Sequence, residues 1–246
     1  FNETRKLRQE LVESTIHPDE RFEFDRLLAS VEMNLGLLAK TRNEFDKAAV
    51  LFQSAQNYRL KTLPVRPKEP QLRRDLAKGW YNLANLAVDQ NDAEAVGSNV
   101  ELAIGQLEML LNENPEDLRD RYLLALCYRL KADLNAALIP VDPSKLVESI
   151  DAYNKARLAM QDLSGRSPAV HRYRVELGQL LLNIGQLEAQ QQHYGEARIA
   201  LGQAEEVFAR LVAEDSDSNE FQELLTQTRV ILEQLKAIQA ESDKPK

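Results

Sequence analysis

Apolar and small residues recur along this chain at a fixed long interval. Ala55, Ala103, Ala156 and Ala204 are separated by 48, 53 and 48 residues. Twelve residues after each stands a punctuation point: Pro67, Pro115, Pro168 and Ser216. Other columns align on these alanines. Twenty positions before them lie Leu35, Leu83 and Ile184, with Leu130 displaced by six extra residues, and Leu232 lies 48 beyond Ile184. The next position is small at Gly36, Ala84 and Gly185, but is Lys131 and Glu233 elsewhere. Seven before each alanine come Ala48, Val96, Ser149 and Ala197; three before come Phe52, Val100, Tyr153 and Leu201. Self-similarity at such a period is the mark of a helical repeat array.

Within each period the apolar spacing is helical, and no alternating stretch is long enough for a strand. Short polar segments divide two apolar stripes: Thr41-Arg42-Asn43, Gln90-Asn91-Asp92 and Gln191-Gln192-His193. Each unit therefore reads as a helix, a tight turn and a second helix. A small residue where helices cross lets the backbones approach closely, and the proline after the second helix ends it. The pattern predicts first helices near 20–41, 70–90, 117–135, 169–191 and 218–239. Second helices are expected near 2–15, 44–62, 92–113, 144–165 and 194–214. The expected fold is all-α: an αα superhelix of about ten antiparallel helices. As one array over 1–240 it comprises repeats at about 20–67, 68–115, 116–168 and 169–216. Half-repeats at 1–19 and 217–240 flank them, and 241–246 is expected to be a disordered tail.

One segment breaks the rule. Asn135–Pro143 reads as a loop holding the six-residue excess of the third unit. Its apolar middle either covers a junction or serves as a binding element, and its two prolines restrict its shape.

The columns resemble the tetratricopeptide repeat. The unit that follows the family most closely runs Asn183-Ile184-Gly185, then Tyr194, Ala197, Leu201 and Ala204. The unit with Leu35-Gly36, Phe45, Ala48, Phe52 and Ala55 is nearly as close. The unit from Trp80 keeps Leu83, Ala84 and Ala103 but has Ala93 where the family has an aromatic. The third departs most, with Lys131 and Ser149 in small-residue columns. The interval here exceeds the family's usual period of about 34, so each helix is longer. Long units of this kind, with the segment from Pro67 to Ala77, are also similar to the arrays attached C-terminally to some bacterial serine/threonine protein kinases. By that likeness the chain would be the regulatory or substrate-recruiting arm of a kinase whose catalytic domain lies upstream.

The tetratricopeptide resemblance implies an interaction scaffold without chemistry of its own. In that family first helices line a concave groove, and the residue before the leucine column faces it. Here those residues are Asn34, Asn82, Arg129, Asn183 and Ile231. Asparagine is a poor mid-helix residue, and its amide can both donate to and accept from an extended peptide backbone. The expected groove residues are thus Asn34, Tyr81, Asn82, Asn85, Arg129, Asn183 and Gln186, with Met33, Leu37 and Leu182 beside them. The alternative is that the amides bond to the adjacent repeat. The family's clamp for chaperone C-termini matches at Asn82 and Arg129 only; Met33, Leu37 and Ala125 stand at its other positions.

Composition narrows the partners. The net charge of −8 makes nucleic acid a poor ligand, since its binders carry a basic stripe. A protein or peptide is expected, with self-association as a further reading. The single cysteine, Cys127, excludes a disulfide framework and shares a column with Trp80 and Leu181, which suggests a core thiol. No phosphate loop, nucleophile elbow or kinase signature occurs, and His17, His171 and His193 have no histidine at i,i+4. No cofactor or metal is expected. No run approaches the ~20 apolar residues of a membrane span, and a cytoplasmic chain is expected. The start at Phe1, inside a repeat, suggests a piece of a longer protein.

Overall fold

Nine α-helices and no strand occur among the described residues of the computed structural model, which cover 18–242 together with Glu3, Lys6, Leu7 and Glu10. The helices are α1 (Pro18–Thr41), α2 (Phe45–Thr62), α3 (Pro70–Asp89), α4 (Ala93–Glu113), α5 (Leu118–Leu138), α6 (Lys145–Arg166), α7 (His171–Gln190), α8 (Tyr194–Glu214) and α9 (Asn219–Ser242). Of the second helix expected near 2–15 only Glu3, Lys6, Leu7 and Glu10 are described, each helical, and the end of the tail lies outside the described residues. Elsewhere the periodicity placed the helices to within three residues of where they fall.

The turns explain why. Asn43, Asn91 and Gln192 adopt positive φ of 59°, 56° and 64°. Each ends a first helix in the left-handed conformation, which asparagine tolerates better than most side chains. The next backbone N–H reaches five residues back: Glu44 to Ala39, Asp92 to Ala87 and His193 to Glu188, each at 2.9 Å. This six-to-one bond, with the shorter one beside it, closes the helix end and satisfies its last carbonyls. The residue donating it already begins the second helix; the Asp92 carboxylate accepts from Ala95 N at 3.0 Å as an N-cap. A turn of three residues therefore returns the chain antiparallel.

The junction between α5 and α6 differs. The helix expected to end near 135 continues to Leu138, because Ala136, Ala137 and Leu138 favour helix and no breaker precedes Pro140. The irregular stretch is 139–144, without a positive φ, held by N–H bonds from Val141 and Asp142 to the Leu138 carbonyl. Val141 is 80% exposed, so the apolar middle of this loop leaves its valine in solvent.

Contacts divide the chain into two compact units, Phe1–Leu134 and Asn135–Lys246. In the first, α1 packs on α2 and α3 on α4 as hairpins, and α2 packs on α3. One cluster joins Ala29, Met33, Phe52, Ala55 and Leu86; another joins Val100, Ala103, Leu107, Leu123 and Cys127. In the second, α7 and α8 form a hairpin, with α6 and α9 against its two sides. Its core gathers Leu181, Leu201, Ala204, Phe208, Leu225 and Leu235.

All four repeat alanines have 0% exposure. The small column is fully used. A Cβ on Gly36 would lie 2.5 Å from the Phe52 ring, and one on Gly185 would lie 2.6 Å from Leu201 Cγ. The glycine of the first helix thus receives the large residue three before the alanine of the second. Gly178 receives Phe208 in the same way, at 2.5 Å. On α9 the corresponding positions are Thr226, Arg229 and Glu233, all exposed, in place of Gly178, Leu181 and Gly185. Arg229 pairs with Glu205 and Glu233 with Lys236. This face of α9 therefore carries polar and charged side chains in solvent where α7 carries its crossing residues.

Candidate functional site

The amide column falls on first helices. Asn34 is exposed on α1; Tyr81, Asn82 and Asn85 are half-buried on α3; Arg129 is half-buried on α5. These five belong to the first unit, whereas Asn183 and Gln186, half-buried on α7, belong to the second. Asn82 Nδ2 donates to Met33 Sδ at 3.2 Å, linking α3 to α1. Asn85 Nδ2 donates to its own helix, at the Tyr81 carbonyl, 2.9 Å away. An amide has two N–H donors and an accepting oxygen, so one N–H directed at a thioether leaves much of its capacity. Met33 and Leu182, expected beside the groove, are buried core residues instead. Their side chains point from the helix into the clusters that hold the hairpins together, while Leu37 remains exposed.

Two buried polar groups escaped the sequence reading. Arg74 of α3 forms a fork on Asp120 of α5: Nε to Oδ1 at 2.5 Å and Nη2 to Oδ2 at 2.6 Å. Nη2 also reaches Asp117 Oδ2 at 3.3 Å, and Nη1 donates to Gln71 Oε1 at 3.1 Å. The hydrogen bond to Asp120 raises the Arg74 pKa further. Asp117 is pushed up by burial, but bonds from Arg119 and from the N–H groups of Asp120 and Arg119 outweigh this and hold it below its usual value. Between α2 and α3, Gln56 Nε2 donates to the Leu76 carbonyl at 3.1 Å and Arg59 Nη1 donates to Gln56 Oε1 at 3.0 Å. Burial lowers the Arg59 pKa, with Asp75 opposing. Gln56 and Arg59 occupy the columns of Ile104 and Leu107, so the signal was a polar pair at aliphatic positions. Both groups are enclosed and tie helices together.

The chemistry-bearing residues are dispersed. Cys127 is buried, and burial pushes its thiol up to about 12, leaving no thiolate to act as nucleophile. His193 Nδ1 lies 2.8 Å from Glu188 Oε2 beside a turn. His171 stands 3.5 Å from Glu214 and edge-on to Phe221. Among the described residues no group of three or more His, Cys, Asp or Glu could hold a metal ion. No helix among them is long and apolar enough to cross a membrane.

Open cavities lie between helices. One of about 430 Å³ opens between α1 and α2 beside Leu35, Leu38 and Val50. Another of about 590 Å³, between α2 and α3, is lined by Ala49, Val50, Gln53, Ser54, Asn57 and Leu83. The second unit has one of about 180 Å³ at Asn154, Arg157, Ile184 and Ile199. The amide column lines none of these three.

No protein-family model matches the chain, and no curated protein matches it. Among solved structures the chain is similar to the DHF58 filament, with a TM-score of 0.31 and 15% identity over 90% of this chain and 96% of that one. It is similar to the de novo designed helical repeat protein DHR64 at 0.29 and 16%, over 92% and 98%. A tetratricopeptide repeat protein from Parabacteroides merdae gives 0.25 and 14%, over 85% and 91%.

Proposed function

We propose that this chain is a non-enzymatic interaction scaffold whose first helices hold a peptide or protein segment through their amide column. The observation that carries the reading is the recurrence of asparagine at one mid-helix place, Asn34, Asn82 and Asn183, each half-buried or exposed. Asparagine there lowers helix propensity and fills no core, so a gain elsewhere offsets it. Its amide suits main-chain groups of an extended ligand, which gives affinity with little demand on ligand sequence. In the first unit Tyr81, Asn85 and Arg129 join Asn34 and Asn82 on this face, with Arg129 favouring an acidic group on the ligand. In the second unit Asn183 and Gln186 play the same part.

The test is partner capture by the double variant Asn82→Ala with Arg129→Ala. The expected result is loss of the partners recovered by the parent, with unchanged helicity and melting. Recovery of the same partners at the same yield by a folded double variant removes the groove assignment.

A further inference from the structure

The residue after each repeat alanine is Gln56, Ile104, Arg157 and Glu205 in turn. Three of them are matched by the first helix that follows. Gln56 Nε2 donates to the Leu76 carbonyl of α3 at 3.1 Å. Ile104 joins the apolar cluster that holds Leu123 and Cys127 of α5. Glu205 pairs with Arg229 of α9 at 2.8 Å. Arg157 is the exception. Where α9 carries Arg229, three before Leu232, α7 carries Leu181, three before Ile184. Arg157 therefore bonds only along its own helix, Nε to Asn154 Oδ1 and Nη1 to Gln161 Oε1, both at 3.4 Å. Among the described residues no carboxylate pairs with it. A guanidinium has five N–H donors, so three are left.

Arg157 is half-buried and lines the groove of about 180 Å³, together with Leu181 and Ile184 of α7 and the 63%-exposed Ile199 of α8. Both α6 and α8 pack on α7, so every wall of the groove is a helix of the second unit. We infer that this groove is a docking site for a partner protein segment that presents one aliphatic and one carboxylate side chain on the same face. The aliphatic side chain lies on Leu181, Ile184 and Ile199. The carboxylate takes the N–H groups of Arg157 that its own helix leaves open, and supplies the counter-ion that Leu181 cannot. The volume suits a single side chain, being below the roughly 300–1,000 Å³ of sites that hold a whole small ligand. Glu196 also lines the groove, so a second negative charge on the segment is repelled. The walls are helices whose backbone groups are bonded internally, so side chains alone do the recognising. Asn183 and Gln186 do not line this groove, and the site stands apart from the amide column.

The probe is a labelled peptide capped at both ends, Ala-Leu-Ala-Glu-Ala, whose leucine and glutamate fall on one face when extended. It is titrated into the full chain and followed by fluorescence anisotropy. Saturable binding is expected, weakened about tenfold or more by Arg157→Gln and by glutamine in place of the peptide's glutamate. The peptide change reads the same contact without touching the protein's fold. Ile199→Asp, at a solvent-facing position, also weakens binding, and circular dichroism checks that both protein variants keep the parent helicity. Arg198→Gln, at an exposed cation of α8 that does not line the groove, leaves binding unchanged. Absence of saturable binding overturns the proposal, as does equal binding to the Arg157→Gln chain or by the glutamine peptide. An equal loss with Arg198→Gln overturns it too, since the attraction is then one of bulk charge. Tighter binding by a peptide whose only carboxylate is its C-terminus also overturns it, because the occupant is then a chain end.

Discussion

Gly36 lies against the ring of Phe52, and a Cβ added to the glycine would stand 2.5 Å from two ring carbons. Phe52 is fully buried and has nowhere to retreat. Gly36→Ala is therefore expected to destabilise the chain by about 1–3 kcal/mol, although alanine is the better helix former. Gly105, in the interior of α4, has nothing within 4 Å of its added Cβ. Gly105→Ala is expected to stabilise by roughly 0.5–1 kcal/mol from propensity alone. Urea melts of the two variants should move in opposite directions. A shared direction would show that the crossing at Gly36 is looser than its geometry.

The three left-handed turn residues offer a second test. Gln192 has φ of 64° with a longer side chain than Asn43 or Asn91, and lacks asparagine's local hydrogen bonding. Glycine removes the Cβ conflict but loosens the unfolded chain. Gln192→Gly should gain about 0.5–1 kcal/mol, and Asn43→Gly less. Equilibrium denaturation ranks the pair. A loss at Gln192→Gly would mean that its side chain, not its backbone, matters at that turn.

What was legible in the sequence followed the period. Helix ends could be read because proline recurs twelve residues after three of the repeat alanines, and Asn43, Asn91 and Gln192 share one turn position with one geometry. The end of α5 was not legible: alanine and leucine at 136–138 carry no stop signal, and the loop begins only beside Pro140. The Arg74–Asp120 pair was also hidden. Its partners are 46 residues apart, in different repeats, and each alone looks like a solvated charge. In the amide column the positions were readable, but that Asn82 turns an N–H to Met33 depends on how α3 meets α1.

That buried fork gives a third prediction. Arg74 and Asp120 have side-chain exposures of 10% and 2%. Removing Arg74 leaves Asp120 buried without its counter-ion, so Arg74→Ala should cost about 3–5 kcal/mol, whereas Asp120→Ala should cost less because Asp117 stays 3.3 Å from Arg74. The double variant should cost clearly less than the two combined. Arg74→Lys should recover little, because an ammonium cannot make the two-pronged contact. A double-mutant cycle in urea decides it. Additive losses would mean that the two side chains act independently of their contact.

Acid should loosen the second unit at Glu214. Arg174 donates to both its carboxylate oxygens, at 2.5 and 2.6 Å, and this holds the carboxyl below the usual glutamate value, with His171 adding a smaller effect. A carboxyl whose folded pKa is depressed binds fewer protons in the native state than in the unfolded one. Its contribution to stability is complete above the unfolded value, near about 4.3, and disappears as pH falls through the lower folded value. The parent should therefore melt at a higher temperature than Glu214→Gln at pH 6, with the gap narrowing between about pH 5 and pH 3. Using the gap cancels other depressed carboxyls, such as Asp117, which titrate in both proteins. A gap that stays constant across that range would detach Glu214 from the acid response and leave its fork with Arg174 as a contact without linkage to pH.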